Sequence, residues 1–181
     1  MEFKSFNKIA RLSREVVITE KIDGTNGLIA IGENGEFQVG SRNQWLTDDN
    51  GNILRDNAGF AKWAVSNRQE LMELGVGYHY GEWWGEGIQR GYGMKGKRFS
   101  LFNVNRWNVE NIPSCCLVVP TLYHGMFSTV VCDEVLDVLR EIGSQAAPGF
   151  MRPEGIVIFH TAQGHLYKKT LEKDEAPKGT L

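Results

Sequence analysis

Short stretches of β-branched and aromatic residues recur along the chain, and glycine, asparagine or aspartate separates them. Segments of this kind are typical of β-strands. The predicted strands are Glu15–Ile22, Gly27–Ile31, Glu36–Gly40, Gly77–Trp84, Arg98–Val104, Leu117–Tyr123, Glu154–His160 and His165–Thr170. Glu33-Asn34-Gly35 and Gln163-Gly164 fall between neighbouring strands and predict tight hairpin turns.

Two segments have the period of an α-helix instead. The residues expected on the buried face of the first, which should end near Gly75, are Phe60, Trp63, Ala64, Leu71 and Leu74. The second is expected to begin after Ser128 and to end at Gly143. Its predicted core stripe is Val131, Val135, Val138, Leu139 and Ile142. Because strands outnumber helices and most are joined by short turns, the predicted class is α+β, with antiparallel β-sheets and flanking helices.

Composition narrows this picture mainly by exclusion. The chain has 181 residues, which predicts a single domain over residues 1–181, with the charged residues 172–181 as a loose tail. Its formal net charge of −2 excludes a protein held to nucleic acid by a strongly basic surface alone. Its three cysteines are odd in number and two of them are adjacent, which argues against a disulfide framework. They include no Cys-x-x-Cys pair, which argues against a structural zinc site.

The termini and the apolar runs bear on the compartment. No secretory signal is visible at the N-terminus, and the longest apolar run, 115–120, is too short to cross a bilayer. We therefore expect a soluble, cytoplasmic protein with no membrane partner.

One segment carries a chemical signature: Lys21-Ile22-Asp23-Gly24, at the end of the first predicted strand. A lysine at a strand end inside a pocket is a candidate nucleophile. An ordinary lysine is almost entirely ammonium at pH 7, so attack by Lys21 requires neighbouring cations that favour the free amine. Taken alone, the four-residue pattern also fits a surface lysine before an Asp-Gly turn.

Further motifs in a fixed order make the sequence resemble the covalent nucleotidyltransferases, that is, the polynucleotide ligases and capping enzymes. Lys21-Ile22-Asp23-Gly24 is similar to their motif I. The segments that resemble their motifs III, IIIa, IV and V are Tyr80-Gly81-Glu82-Trp83-Trp84-Gly85, Phe99-Ser100-Leu101-Phe102-Asn103-Val104, Glu154-Gly155-Ile156-Val157-Ile158 and Leu166-Tyr167-Lys168-Lys169-Thr170. Together the five motifs span nearly the whole chain.

Within this superfamily the segment from Glu20 to Asn26 looks most like the phage RNA ligase 2 group, the nick-joining RNA ligases. DNA ligases and capping enzymes usually carry arginine at the position of Asn26. Ser41-Arg42 is similar to the arginine that these RNA ligases place near the phosphates and the ribose. The resemblance implies a ligase-type nucleotidyltransferase (adenylation) domain, here without an OB module or a C-terminal ligase domain.

The resemblance also implies a role for each matching residue. Lys21 attacks the α-phosphorus of ATP and keeps AMP as a lysyl phosphoramidate, and Glu154 and Asp23 ligate Mg²⁺ or Mn²⁺. The residues that it places around the nucleotide are Glu20, Ile22, Asn26, Arg42, Glu82, Phe102, Lys168 and Lys169.

Several of these positions have a second interpretation. Glu82 lies among aromatic residues on one strand face, where it contacts the ribose hydroxyls or the metal, or forms a buried ion pair. Phe102 stacks on the adenine or packs in the core. Glu20 reads the adenine edge or is an exposed turn residue, and Glu154 is a metal ligand or a carboxylate at a strand end.

The basic residues near the predicted site are also open to two interpretations. Side chains alternate along a strand, so only one of Lys168 and Lys169 can bind phosphate in the pocket, and Lys168 is our first choice. Gly91-x-Gly93-x-x-Gly96 lacks the following helix of a dinucleotide-binding loop and predicts a mobile loop. The residues that contact a nucleic-acid backbone there, or are simply solvated, are Arg90, Lys95, Lys97 and Arg98.

The expected function is that of an ATP-dependent RNA ligase, or its adenylation domain, in RNA repair. The enzyme would transfer AMP to a polynucleotide 5′-phosphate, which a 3′-hydroxyl then attacks. The expected partners are ATP and RNA, with DNA or an RNA/DNA duplex as further substrates, and a partner domain or protein in place of a C-terminal domain. Two alternatives remain, a minimal ATP-dependent DNA ligase and a non-catalytic nucleotide-binding module.

Overall fold

Two β-sheets make up most of the fold, which the computed structural model describes over residues 1–172 and 174. The strands are β1 (Glu15–Lys21), β2 (Thr25–Ile31), β3 (Phe37–Ser41), β4 (Gly77–Gly85), β5 (Lys97–Leu101), β6 (Leu117–Val118), β7 (Thr121–Met126), β8 (Gly155–His160) and β9 (His165–Thr170). The helices are α1 (Phe60–Ser66), α2 (Arg68–Leu71) and α3 (Thr129–Ile142), with a 3₁₀ turn at Met72–Leu74. The predicted α+β class is confirmed.

The two sheets are connected at two points along the described residues. The first sheet has the strand order β7-β1-β8-β9, and the second β3-β2-β4-β5-β6. Neighbouring strands are antiparallel except for β5 and β6, which are parallel. The chain crosses between the sheets at residues 22–24 and again at residues 119–120. The crossings lie side by side, because the Glu20 N–H donates a hydrogen bond to the Pro120 carbonyl oxygen at 2.9 Å.

The second crossing divides a segment that the sequence predicts as one strand, Leu117–Tyr123. Proline has no N–H to donate to a strand ladder, and Pro120 lies at the point of division. The part before it, β6, joins the second sheet, and the part after it, β7, joins the first.

The first predicted helix is also divided, at Asn67. The Asn67 side-chain amide donates to the Trp63 carbonyl oxygen at 2.7 Å, and the Asn67 backbone N–H donates to the same oxygen at 3.0 Å. The segment continues as α2 and the 3₁₀ turn, and it ends at Gly75, whose φ is +74°. The predicted end of the helix is therefore correct, because a left-handed residue at this point favours glycine.

An aromatic cluster joins α1 to the second sheet. The ring of Phe60 lies 5.0 Å from that of Phe99, and the ring of Trp63 lies 5.0 Å from that of Trp83. Phe60 approaches β2 so closely that a Cβ atom on Gly27 would lie 2.4 Å from its ring. A glycine inside β2 is explained by this close approach.

The helix α3 packs against the first sheet along a stripe that overlaps the predicted one only in part: Leu139 is buried as predicted, and Val131 and Val135 are partly buried. Its buried residues are Cys132, Leu136 and Leu139. Val138 and Ile142 are half exposed, so the prediction that they belong to the core is wrong. The apolar side of the helix is broader than the sheet can cover, and the stripe that lies one residue further along the chain occupies its centre.

A third apolar cluster fills the space between the sheets. Its buried members are Ile22, Trp84, Tyr92, Val119 and Ala147. Because Ile22 and Val119 belong to the two crossings, this cluster fixes the sheets relative to each other at the end where Lys21 lies.

Two expectations from composition concern the cysteines and the membrane. Cys115, Cys116 and Cys132 are free thiols, as expected. Among the described residues no helix is long and apolar enough to cross a membrane. Of the predicted loose tail, residues 173 and 175–181 lie outside the described part of the chain.

Candidate active site

Lys21 is the last residue of β1 and lies where the chain leaves the first sheet. It pairs with Gly155 of β8, and its Nζ donates to Glu154 Oε2 at 2.7 Å. Both side chains are largely covered, with 19% of Lys21 and 6% of Glu154 exposed. The sequence predicts cationic neighbours for Lys21, but this contact is with an anion. A buried ion pair of this kind fixes the direction of the amine.

Glu82 of β4 connects the turn after Lys21 to the second sheet. One carboxylate oxygen accepts from the Gly24 N–H at 3.0 Å, and the other accepts from the Asn26 side-chain amide at 3.1 Å. A Cβ atom on Gly24 would lie 2.5 Å from the Trp83 carbonyl oxygen, so only glycine allows the turn to lie this close to β4. This close approach explains why glycine follows aspartate in the motif.

Asp23 is held by two residues of the loop that follows β4. Arg90 Nε donates to Asp23 Oδ2 at 3.0 Å, and the Tyr92 hydroxyl accepts from the Asp23 N–H at 2.8 Å. Arg90 also donates to the carbonyl oxygens of Arg152 and Pro153, at 3.1 and 3.4 Å. Arg90 thus links the turn after Lys21 to the segment immediately before Glu154.

The bridging role of Arg90 is not visible in the sequence, where the glycines of Gly91–Gly96 predict a mobile loop. Tyr92 is in fact 2% exposed and packs between Trp84 and Phe150. Burial raises the pKa of its phenol, so the hydroxyl stays protonated. The signal in the sequence was an aromatic residue between two glycines, a combination that favours a turn anchored by a buried ring.

The register of the second sheet places several predicted residues on one face, which we call the cleft face. Asn26 of β2 pairs with Glu82 of β4. On the other side of β4, Glu82 pairs with Ser100 and Gly81 pairs with Leu101. The next position in this register places Phe102 beside Tyr80. The Phe102 N–H donates to the Tyr80 carbonyl oxygen at 3.0 Å, which continues this register. Phe102 is 39% exposed, so it is not simply a core residue.

Arg42 lies directly after β3, where Ser41 pairs with Gly27 of β2. The same register brings Arg42 next to Asn26 at the edge of the cleft face. Its side chain is exposed, and it is therefore accessible to an anionic ligand.

The two neighbouring lysines of β9 lie on opposite faces of the first sheet. Lys168 pairs with Val157, which pairs with Thr19, and Thr19 shares the face of Lys21. Lys169 pairs with Ile156 and forms an ion pair with Asp133 of α3. The structure therefore brings Lys168, and not Lys169, to the face of the proposed nucleophile.

Glu20 does not point to the same side as Lys21. It is 1% exposed, which excludes the exposed turn residue that was one of the two interpretations. Its carboxylate accepts from the Ser144 hydroxyl at 2.6 Å and from the backbone N–H groups of Gln145 and Ala146 at 2.8 and 2.9 Å. Burial raises the pKa of Glu20, although these three donors oppose the shift. Glu20 holds the loop after α3, and Ile22 packs in the cluster between the sheets.

The carboxylates of the site fit a divalent cation only in combination with phosphate oxygens. Within residues 1–172 and 174 there is no group of three or more histidine, cysteine, aspartate or glutamate side chains arranged to hold a metal ion. Mg²⁺ commonly binds one or two carboxylates together with water and substrate phosphates. Glu154 pairs with Lys21, and Arg90 connects Asp23 to the segment immediately before Glu154, which suits this mode of binding.

A primary amine and the carboxylates of Glu154 and Glu82 thus lie near the junction of the sheets, and Glu82 shares a sheet face with the exposed ring of Phe102. These are parts required for attack of an amine on a phosphorus atom, which depends on positioning and on charge more than on covalent machinery.

Comparisons with solved structures show the same fold. A Naegleria gruberi RNA ligase variant with ATP and manganese has a TM-score of 0.63 and 19% identity, over 89% of this chain and 51% of that chain. A variant without ligand has a TM-score of 0.61 and 21% identity, over 87% and 49%. A variant with AMP and manganese has a TM-score of 0.61 and 20% identity, over 87% and 49%. The chain thus spans about half the length of these ligases.

The likeness to these structures confirms the predicted ligase-type nucleotidyltransferase fold. No curated protein sequence matches the chain significantly. The family model described as RNA ligase matches residues 14–170, which include both sheets and all the residues of the cleft. On this match, the chain belongs to the RNA ligase family.

Proposed function

We propose that this chain is the adenylation domain of an ATP-dependent RNA ligase, with Lys21 as the nucleophile. The observation that carries the proposal is the position of Lys21, at the junction of the sheets and 2.7 Å from Glu154. Its amine attacks the α-phosphorus of ATP, a nitrogen–phosphorus bond forms, and the bond to pyrophosphate breaks. The amine must lose a proton before the attack, and Glu154 Oε2 is an acceptor within reach.

The cleft face of the second sheet binds the nucleoside in this proposal. Glu82, Asn26 and Arg42 contact the ribose and the phosphates, and Phe102 stacks on the adenine. Glu82 is already oriented by two hydrogen bonds, so little freedom is lost when it accepts from a ribose hydroxyl. Lys168, on the face of Lys21, contacts the phosphates.

A divalent cation, Mg²⁺ or Mn²⁺, would be held by Glu154 and Asp23 together with the phosphates. When bound, it neutralises the charge that develops on the phosphate oxygens. The Naegleria gruberi ligase structures that contain manganese with ATP or AMP support a nucleotide and a divalent cation in this family.

Membership of the RNA ligase family supports two later steps. The adenylate passes to the 5′-phosphate of an RNA strand, and a 3′-hydroxyl attacks that phosphate and releases AMP. A comparison of nicked RNA, nicked DNA and hybrid duplexes as substrates identifies the preferred polynucleotide.

The first step is tested by the intact mass of the protein after incubation with ATP and Mg²⁺. We expect the wild-type protein to gain one AMP, and Lys21→Ala to gain none. Lys62→Ala, which removes an exposed lysine of α1, is the matched control and should gain AMP like the wild type. A wild-type mass that does not change with ATP, or an AMP adduct on Lys21→Ala, contradicts the proposal.

A further inference from the structure

The cleft face continues beyond the proposed nucleotide site into a surface of exposed aromatic rings. Tyr78 and Tyr80 of β4 are 66% and 53% exposed, and Trp45 and Phe102 are 40% and 39% exposed. A contiguous patch of exposed aromatic side chains on a folded protein often marks a surface that binds a ligand. We call the surface formed by Trp45, Tyr78, Tyr80 and Phe102 the aromatic platform.

The strand register places the platform directly beside the nucleotide site. Tyr80 pairs with Leu28, which pairs with Gly40, so these residues form a row across three strands. Trp45 lies over this row, because a Cβ atom on Gly40 would be 3.4 Å from its ring. The neighbouring row on one side contains Asn26 and Glu82.

The row on the other side of Tyr80 contains Tyr78, which pairs with Ala30. Ala30 in turn pairs with Gln38 of β3, so this row carries no charged side chain. Residues two apart on a strand are separated by about 6.7 Å, which is close to two steps of about 3.4 Å along a nucleic-acid strand. Tyr78 and Tyr80 are therefore spaced to contact alternate bases of one strand.

Exposed aromatic rings beside a row without charged side chains suit unpaired bases, because every base has a flat face that stacks on an aromatic ring. A double helix hides these faces, whereas a single strand exposes them. Binding a base to these rings costs little conformational entropy, since a tyrosine has only two side-chain torsions and the strand already fixes its backbone.

We propose that the aromatic platform stacks unpaired bases of the RNA strand next to the end that reacts at Lys21. This inference rests on the proposed function, because it takes the polynucleotide of that reaction as its ligand. The bases nearest the reacting end contact Tyr80, and those further along contact Tyr78.

The test is the affinity for a 5′-phosphorylated, single-stranded oligoribonucleotide with a fluorescent label at its 3′ end, measured by anisotropy at one fixed salt concentration. Tyr78→Ala and Tyr80→Ala should each weaken binding by about fivefold to a hundredfold, the range for loss of one stacked base. Tyr78→Phe and Tyr80→Phe keep the ring and should bind within about twofold of the wild type. Val138→Ala, an apolar truncation on the exposed side of α3, should leave binding unchanged.

A second oligonucleotide separates stacking from other contacts. An oligoribonucleotide of the same length with abasic units in place of the unpaired bases should bind the wild type and Tyr80→Ala equally. Alanine variants that bind the normal oligonucleotide like the wild type overturn the proposal, and so do phenylalanine variants that lose as much affinity as the alanine variants. If the alanine variants bind RNA normally but no longer form a dimer in sedimentation, the platform is an interface between two copies, and the proposal is wrong.

The uptake of AMP from ATP distinguishes a failure of this inference from a failure of the proposed function. Both alanine variants should form the AMP adduct at the wild-type rate, within about twofold, because the adenine of ATP contacts Phe102 and neither of the two tyrosines in the proposed function. A wild-type protein without AMP uptake contradicts the proposed function, whereas normal AMP uptake with unchanged RNA affinity in the alanine variants contradicts only the platform.

Discussion

Glu20 and Lys21 are consecutive residues of β1, and their side chains lie on opposite faces of the first sheet. Lys21 points into the cleft, where Glu154 orients it, and Glu20 points towards the loop after α3. The alternation of a strand makes this inevitable. The resemblance to known ligases gave both residues a role at the nucleotide, but the hydrogen bonds of Glu20 assign it a structural one.

The raised pKa of Glu20 predicts a pH dependence of stability. The folded protein binds the Glu20 proton more tightly than the unfolded chain, whose ordinary value is 4.5. The stabilising contribution of Glu20 is therefore complete below about pH 4.5 and is lost as the pH rises through the higher pKa of the folded state. Glu20→Gln removes this titration. In urea unfolding at a series of pH values, the free energy of unfolding of the wild type, minus that of Glu20→Gln, should fall across this window.

A difference between the two proteins that is constant with pH would show that Glu20 titrates alike in the folded and unfolded states. Glu33→Gln serves as the control, because Glu33 is an exposed carboxylate in a turn and its removal should leave the pH profile unchanged.

At the scale of elements, α3 shows what determines which side of an apolar helix is buried. Both the predicted and the observed stripes have helical spacing, and the contacts with Ile18 and Ile156 decide between them. Periodicity determines that a helix is amphipathic, but the width of the opposing sheet determines which of its apolar residues are covered.

The choice of stripe predicts different costs for two truncations on this helix. Leu136→Ala should lower the free energy of unfolding by about 2–5 kcal/mol, because Leu136 is 4% exposed and its truncation leaves a cavity. Val138→Ala should change it by less than about 1 kcal/mol, because half of that side chain is already in water. Urea unfolding of both variants measures the difference, and equal costs would support the predicted stripe instead.

The loop after β4 acts as a brace between two elements of the active site. Arg90 contacts Asp23 and the carbonyl oxygens of Arg152 and Pro153, so one side chain sets the position of both segments beside Lys21. A guanidinium group supplies the several donors in one plane that this geometry needs, and an ammonium group does not.

We expect Arg90→Ala to slow formation of the AMP adduct by about 10-fold to 100-fold, because small displacements of reacting groups have effects of this size. Arg90→Lys should recover part of the rate through its charge on Asp23. The rate at saturating ATP should fall more than the affinity for ATP, since the brace positions the amine. Single-turnover kinetics measure both, with Arg140→Ala on the exposed side of α3 as the control. An unchanged rate in Arg90→Ala would show that the turn after Lys21 holds its position without the brace.

At the scale of the whole molecule, the sequence predicted the strands better than the connections between them. The bounds of β1 and β9 differ from prediction by one residue or less, because alternation within a strand is a local property. The contact between Lys21 and Glu154 joins residues 133 positions apart. The resemblance to one family predicted that both residues belong to the nucleotide site, but it did not predict their direct contact.

The brace by Arg90 and Tyr92 was not predictable in the same way. Gln89 and Tyr92 have φ angles of +46° and +52°, so the loop follows a path that no periodic pattern describes. The tertiary contacts of the Tyr92 ring with Trp84 and Phe150 hold that path in place. Contacts of this kind depend on how the sheets meet, and that information is spread over distant parts of the chain.

The two crossings have a consequence for the geometry of the proposed reaction. The end of β1 lies beside the second crossing, because the Glu20 N–H donates to the Pro120 carbonyl oxygen, and Ile22 and Val119 of the two crossings pack in the cluster between the sheets. The proposed nucleophile belongs to the first sheet, and the residues proposed to bind the nucleoside belong to the second. The distance between the amine and the α-phosphate therefore depends on how this cluster packs.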